Sequence, residues 1–328
     1  MRYLSPTRRG ALKLLGGMFA GSALHLGERD SRADHSPNGD AVIDTHLHIV
    51  SSRLARGSTK SLPAPFDVLQ QPNGAERLAK IIEAELKASN VAQALCMPST
   101  EISDDDPLGI QRTLEQARLI EGVKLHPIGV AHPERFDRGH LERVEDVLKQ
   151  GQVKAFKAYL GYMHYEPANV GYRPYYRLAA KYNIPVIYHT GDTYSRRAKV
   201  KFAHPLAIDE IAVDFPSTKF VLAHFGNPWV MDAAQVIYKN KNVWADLSAF
   251  LIGDADELAE MKSSGVWERT AKRVKEAIEY AEADDRFVFG SDWPLAPIAT
   301  YRDFVRDLFP KERYRAVFYD NAKALYGL

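Results

Sequence analysis

The sequence predicts an α/β fold, a (β/α)8 TIM barrel, on three observations. From residue 41 onward, short apolar runs alternate with helix-like patterns eight times. That alternation implies a parallel sheet with right-handed crossovers. The repeats fill about 290 residues, close to the ~250 typical of this barrel. No Gly-x-Gly-x-x-Gly follows any strand, which disfavours the competing doubly wound sheet with its dinucleotide fingerprint.

Strand candidates, in order, are 41–47, 91–97, 124–130, 153–160, 184–189, 218–224, 242–247 and 286–291. The first is the run Ala41-Val42-Ile43 leading into Asp44-Thr45-His46-Leu47-His48. Helical patterns fall between the strands at 74–88, 108–121, 138–150, 173–182, 205–214, 229–239 and 256–283. Closing helices are expected from Arg302 to Leu308 and from Lys311 to Tyr326. Ser51 to Asn73, with Pro63, Pro65 and Pro72, is too long for an ordinary connection and reads as a lid after the first strand. No internal repeat or low-complexity tract breaks the pattern.

Composition is that of an ordinary globular chain. At 328 residues it is near the upper edge for one large domain. The formal net charge of +1 supplies no field for nucleic acid or an anionic membrane. The single cysteine, Cys96, lies in an apolar strand and reads as an inert buried thiol, with no intrachain disulfide. Residues 1–40 read as an export signal and linker, and 41–328 as the barrel domain. Thr7-Arg8-Arg9-Gly10-Ala11-Leu12-Lys13 precedes an apolar, glycine-rich stretch. It resembles a twin-arginine export signal, departing from it at Ala11, where a bulky residue is usual. The resemblance implies a periplasmic or otherwise exported protein. A short basic arm on a cytoplasmic protein is the alternative. The apolar run is too short to span a membrane.

Barrels of this type carry their chemistry at the C-terminal ends of the strands. His46 and His48 end the first strand and, two residues apart, point to one face. Lys157 lies in the fourth, His189 ends the fifth, His224 the sixth, and Asp292 follows the eighth. Each alone has a bland reading as a cap, a loop histidine or a snorkelling lysine. Together on the strand ends of one barrel they read as a site. Imidazoles with a carboxylate suit Zn²⁺, while Mn²⁺, Fe²⁺ or Co²⁺ share these ligand types.

These motifs resemble the amidohydrolase superfamily of metal-dependent hydrolases, over residues 41–328. The nearest likeness is to the branch with aminocarboxymuconate-semialdehyde decarboxylase and related nonoxidative decarboxylases. It rests on Asp44-Thr45-His46-Leu47-His48, His189, His224, Gly290-Ser291-Asp292-Trp293-Pro294 and the terminal Asn321-Ala322-Lys323-Ala324-Leu325-Tyr326-Gly327-Leu328. The resemblance implies a mononuclear site with His46, His48, His189 and Asp292 as ligands. It gives His224 the attacking water or the substrate carbonyl, and lets Asp292 pass a proton to the leaving group. Lys157 reads either as a carbamylated bridge between two metals or as an unmodified cation facing the pocket. Lys154, three residues earlier, faces the other side of the sheet.

The other histidines carry less. His25 and His35 fall in the leader, His140 in a helix, and His164 in an aromatic loop with Tyr159, Tyr162 and Tyr165. That tyrosine cluster suits a planar substrate group or plain loop packing. His126 and His132 flank the third strand and are placed to reach the pocket mouth. Arg196, Arg197 and Lys199, after the fifth strand, suit a substrate carboxylate or a solvated surface. The expected function is metal-assisted water attack on the carbonyl of a lactone, ester or amide. The alternatives are nonoxidative decarboxylation at the same site and an inactive binding barrel. The expected partner is a small-molecule substrate, with a carboxylate as one option, and a homo-oligomer is left open.

Overall fold

The computed structural model describes residues 40–49 and 65–328. The export segment therefore lies outside the described residues, as does most of the expected lid. The chain forms parallel strands β1 (Val42–His48), β2 (Val91–Met97), β3 (Lys124–Pro127), β4 (Gly129–Val130), β5 (Phe156–Ala158), β6 (Val186–Tyr188), β7 (Phe220–Leu222), β8 (Val243–Asp246) and β9 (Phe287–Val288). They pair in sequence order, β1-β2-β3 and then β4 through β9. The expected third strand is divided at Pro127 and Ile128. Proline has no N–H to give the ladder, yet its carbonyl accepts from Lys154 N at 3.1 Å, and Ile128 N donates to Cys96 O at 3.2 Å. The two pieces thus fill one barrel position.

Closure comes from the first and last positions. Thr45 N donates to Phe289 O at 3.0 Å and His48 N to Trp293 O at 2.9 Å. The Thr45 hydroxyl bonds Phe289 O as well, at 2.8 Å. Asp44 tightens this seam, accepting from His46 N, Ser291 N and the Ser291 hydroxyl at 3.0, 3.0 and 2.6 Å. Burial of Asp44 pushes its carboxyl up to about 7, against those three donors. The inward residues Ile43, Leu95, Ile128, Ala155, Ile187, Val221 and Val288 fill the barrel interior, and the helices pack outside on the larger apolar layer.

The helices are α1 (Gly74–Ala88), α2 (Gln111–Leu119), α3 (Arg138–Lys149), α4 (Arg173–Tyr182), α5 (Ala207–Asp214), α6 (Val230–Lys239), α7 (Ala255–Ser263), α8 (Val266–Ala281), α9 (Ile298–Arg306) and α10 (Asn321–Tyr326). Capping explains their limits. Asp137 accepts from His140 N to start α3, and Asn183, left-handed at φ 53°, stops α4. The single helix expected over 256–283 is two. Ser264-Gly265 ends α7, because Gly265 adopts φ 74° and takes the chain out of the helix. The last stretch is broken into a 3-10 turn, a π-turn and α10. No helix among the described residues is long and apolar enough to cross a membrane.

His126 departs from expectation. It is the third residue of β3, buried, and its Nε2 bonds the Gln93 side chain of β2 at 2.7 Å. Burial, with Lys124 and Lys154 nearby, lowers its pKa to about 4. The folded state thus holds His126 neutral, while the unfolded chain protonates it near 6.5. Between those values the unfolded state binds more protons, so stability falls as pH drops from about 6.5 to about 4. His126 contributes a loss on the order of 2 kcal/mol between pH 7 and pH 5, read by denaturant unfolding of the native chain against His126→Gln. His126→Gln should lose measurably less than the native chain over the same interval. An equal loss would remove His126 from the acid response.

Candidate active site

The strand ends place the site residues around one point at the barrel mouth. β1 delivers His46 and His48, β5 delivers Lys157, and β6 leads directly into His189. After β7 the chain turns sharply, with His224 and Phe225 both left-handed at φ 60° and 43°. After β9, Asp292 is left-handed too, at φ 58°. Such backbone costs roughly 1–2 kcal/mol per non-glycine residue. The cost is offset by bonds that aim the side chains. His224 N donates to Asp246 Oδ1 at 2.9 Å, and Asp292 N to His46 O at 2.8 Å.

Asp246, the last residue of β8, was not singled out from the sequence, although the same strand-end rule applies to it. It is fully buried and accepts four bonds. Oδ2 takes His46 Nδ1 at 2.9 Å. Oδ1 takes His224 N, Ser248 N at 3.2 Å, and the Ser248 hydroxyl in a short contact. Burial opposes its ionisation, but His46 and His224 hold the carboxyl well below the ordinary range.

With Asp246 an acceptor only, hydrogen-bond partners assign the ring protons. His46 must donate through Nδ1, so its Nε2 carries a lone pair. Ser248 gives its one proton to Asp246, so its oxygen accepts from His224 Nδ1 at 2.8 Å. His224 Nε2 therefore also carries a lone pair. His189 Nε2 donates to Asp192 O at 2.8 Å, which leaves its Nδ1 bare and 3.2 Å from His224 Nε2. Burial keeps these rings neutral. It pushes His224 down to about 3, lowers His46 with help from Lys157, and drives His189 well below its ordinary value.

Asp292 adds an anionic acceptor. Its Oδ1 is buried, 3.1 Å from His48 Nε2 and 3.4 Å from His46 Nε2, without hydrogen-bond geometry to either. Burial opposes its charge, but His46, His48 and His224 hold it well below the ordinary carboxylate range. An orphaned carboxylate oxygen beside bare imidazole nitrogens is a donor set that fits a divalent cation. His46, His48 and Asp292 have ligand atoms close enough to share one ion. His189 is outside that trio, and its bare Nδ1 faces His224. A second close group, His46, His224 and Asp246, is already bonded internally and reads as support for the first.

Lys157 is buried, with Nζ 3.5 Å from His46 Nε2 and 5.5 Å from the Tyr159 ring centroid. Burial lowers its pKa to about 8, against Asp246 and Asp292. Lys154 instead reaches Gly327 O at 3.2 Å, away from the site. The tyrosine hydroxyls are committed to loop packing. Tyr159 donates to Pro98 O at 2.7 Å, Tyr165 donates to Glu134, and Tyr162 accepts from Tyr194 N while its ring meets His189 edge-on at 4.8 Å. His164 stacks on Phe202, and His140 bonds the Tyr175 hydroxyl. His132 lines a separate cavity of about 650 Å³ with Glu101, Asp106 and Arg135. Arg196, Arg197 and Lys199 are exposed.

Known proteins agree with this fold. No curated protein matches the chain. Among solved structures, an uncharacterised TIM-barrel protein from Bordetella bronchiseptica is 18% identical with a TM-score of 0.59, covering 88% of this chain and 98% of that one. A 5-carboxyvanillate decarboxylase from Novosphingobium aromaticivorans, solved with manganese, is 13% identical with a TM-score of 0.57, covering 88% and 97%. A dihydroorotase from Campylobacter jejuni is 16% identical with a TM-score of 0.54, covering 88% and 83%. At these identities the likeness is one of fold. The amidohydrolase family model matches residues 43–328. By that match, the chain belongs to the amidohydrolase family.

Proposed function

We propose that this chain is a metal-dependent hydrolase that adds water to the carbonyl carbon of a lactone, ester or amide. One observation carries the reading. Asp292 Oδ1 and His224 Nε2, by their partners, both present lone pairs to the site. They give it two acceptors for the protons that water attack releases. His46, His48, His189 through Nδ1, and Asp292 would hold the metal, with zinc first among the candidates. A bound divalent ion would polarise the carbonyl and lower the pKa of water to about 7. As the water oxygen bonds to the carbonyl carbon, His224 Nε2 takes its proton. Asp292 passes the second proton of that water, from the hydroxyl of the tetrahedral adduct, to the leaving oxygen or nitrogen as its bond to the carbonyl carbon breaks.

A nonoxidative decarboxylase is the second reading, and Lys157 favours it. Loss of CO₂ leaves a carbon that must be protonated, and Lys157, buried beside His46, is a proton donor near neutral pH. The decarboxylase names among the structural neighbours belong to proteins only 12–14% identical. The two readings part on products. Assay of the zinc- and manganese-loaded protein against lactones, aryl esters and hydroxybenzoates should give ring-opened or hydrolysed product without CO₂. CO₂ release from a hydroxybenzoate, with no hydrolysis, would replace the first reading by the second.

Metal content separates the roles within the site. His46→Ala and His189→Ala should lower bound metal by roughly tenfold or more, with the barrel still folded by circular dichroism. His224→Ala should keep its metal and lose activity by roughly 10²–10⁴-fold. Loss of metal from His224→Ala in step with activity would make it a ligand and revive Lys157 as a carbamylated bridge.

We also propose export by the twin-arginine route, on the motif around Arg8 and Arg9. Replacing both with Lys should leave the full-length protein in the cytoplasm. Finding the unaltered protein there at full length would overturn the proposal.

A further inference from the structure

We propose that Ser248 is a positioning residue that sets which nitrogen of His224 carries the proton, and so makes His224 a proton acceptor. The inference rests on the hydrolase reading only for its kinetic consequence, because the hydrogen-bond argument stands by itself.

His224 has two neutral forms, and each has a partner waiting. With the proton on Nδ1, His224 donates to Ser248 Oγ at 2.8 Å and leaves Nε2 bare toward the site. With the proton on Nε2, it would donate to the bare Nδ1 of His189 at 3.2 Å, and Nδ1 would need a donor. Ser248 is the only side chain bonded to that nitrogen among the described contacts, and a hydroxyl has one proton. That proton is already claimed by Asp246 Oδ1. Turning it toward His224 would set the Ser248 oxygen against a buried carboxylate at short range, with no proton between them. A buried acceptor left facing another acceptor costs about 1–3 kcal/mol. The Nε2–His189 contact gains at most a neutral hydrogen bond, about 1 kcal/mol net. The Nδ1 form in turn leaves His224 Nε2 and His189 Nδ1 as facing acceptors at 3.2 Å, a comparable cost that a metal held by His189 would remove, so the shorter 2.8 Å bond to a hydroxyl tied to an ionised carboxylate decides for the proton on Nδ1.

The same chain explains why Ser248 and not another group is needed. Asp246 does not reach His224 Nδ1 itself: among the described contacts its Oδ2 meets His46 Nδ1, and its Oδ1 meets the His224 backbone and Ser248. The hydroxyl acts as the intermediate link: it converts a carboxylate acceptor into an oxygen that accepts from the imidazole. Without it, His224 Nδ1 has no acceptor, and the ring gains by moving its proton to Nε2 and bonding His189. His224 would then present a donor where the water's proton has to go.

Nitrogen NMR of the histidine rings in the full-length protein, metal-free and then zinc-loaded, tests this, with the His224 signals identified by their loss in His224→Gln. The native chain should show His224 protonated at Nδ1. In the metal-free protein, where His189 Nδ1 can accept, Ser248→Ala should move the proton to Nε2, while Ser248→Thr, which keeps the hydroxyl, should match the native chain. On a hydrolysed substrate, Ser248→Ala should lower kcat by about 10²-fold and leave KM within about twofold. Ser248→Thr should restore most of the rate. A native His224 already protonated at Nε2 would overturn the proposal, and so would a Ser248→Ala protein that keeps the Nδ1 form. The native spectrum alone decides the point if Ser248→Ala fails to fold. If no substrate is hydrolysed, the hydrolase reading fails, while the ring spectra still judge Ser248.

Discussion

One buried carboxylate, Asp246, organises the barrel mouth. It binds His46 of β1 on one oxygen, and the backbone and neighbouring hydroxyl of the β7 and β8 ends on the other. Residues 200 positions apart in sequence thereby share one acceptor. Because an ionised carboxylate can only accept, it dictates proton positions outward from itself. His46 Nδ1 and, through Ser248, His224 Nδ1 are donors, so both Nε2 atoms carry lone pairs, that of His46 3.5 Å from Lys157 Nζ. A neutral amide in its place would free one ring to turn over. The placement of the candidate ligands is thus a consequence of hydrogen bonding beneath the site as much as of their own strand ends.

The barrel supplies the frame on which this works. The seam between β1 and the segment after β9 is held by Asp44, Thr45 and Ser291. The same seam brings Asp292 beside His46 and His48. Left-handed backbone at His224 and Asp292 bends each side chain over the mouth where an ordinary strand end would carry it past. Strain of this kind persists only where surrounding bonds over-determine it. Here the bonds come from Asp246 to His224 N, and from His46 O to Asp292 N.

Much of this was legible in the sequence, and what escaped has a physical reason. Apolar runs separated by helix patterns place the strands, because parallel barrel strands are buried on both faces and read as continuous hydrophobic stretches. His46, His48, His189, His224 and Asp292 stand out because polar groups directly after such runs are unusual. Asp246 follows the same rule in Val243-Trp244-Ala245-Asp246 and is equally legible there. Ser248 is different: a serine after a strand carries no signal until the His224 ring is seen against it. The break at Gly265 was readable from Ser264-Gly265, since glycine after a helical run is a stop signal. The division of the third strand at Pro127 was readable from the proline. The partners of Tyr159, Tyr162 and Tyr165 were not, because loop-to-loop contacts leave no period in the sequence.

Chemically, the centre gathers imidazole lone pairs and one unpartnered carboxylate oxygen, largely buried, where such an arrangement, taken alone, is costly. The account holds that a divalent cation is what these lone pairs are built to face. Anomalous scattering from crystals of the zinc-loaded protein tests that most directly. The account predicts one strong peak per chain within about 2.0–2.2 Å of His46 Nε2, His48 Nε2, His189 Nδ1 and an Asp292 oxygen. A peak elsewhere in the barrel, or none at zinc concentrations that saturate ordinary sites, would contradict it.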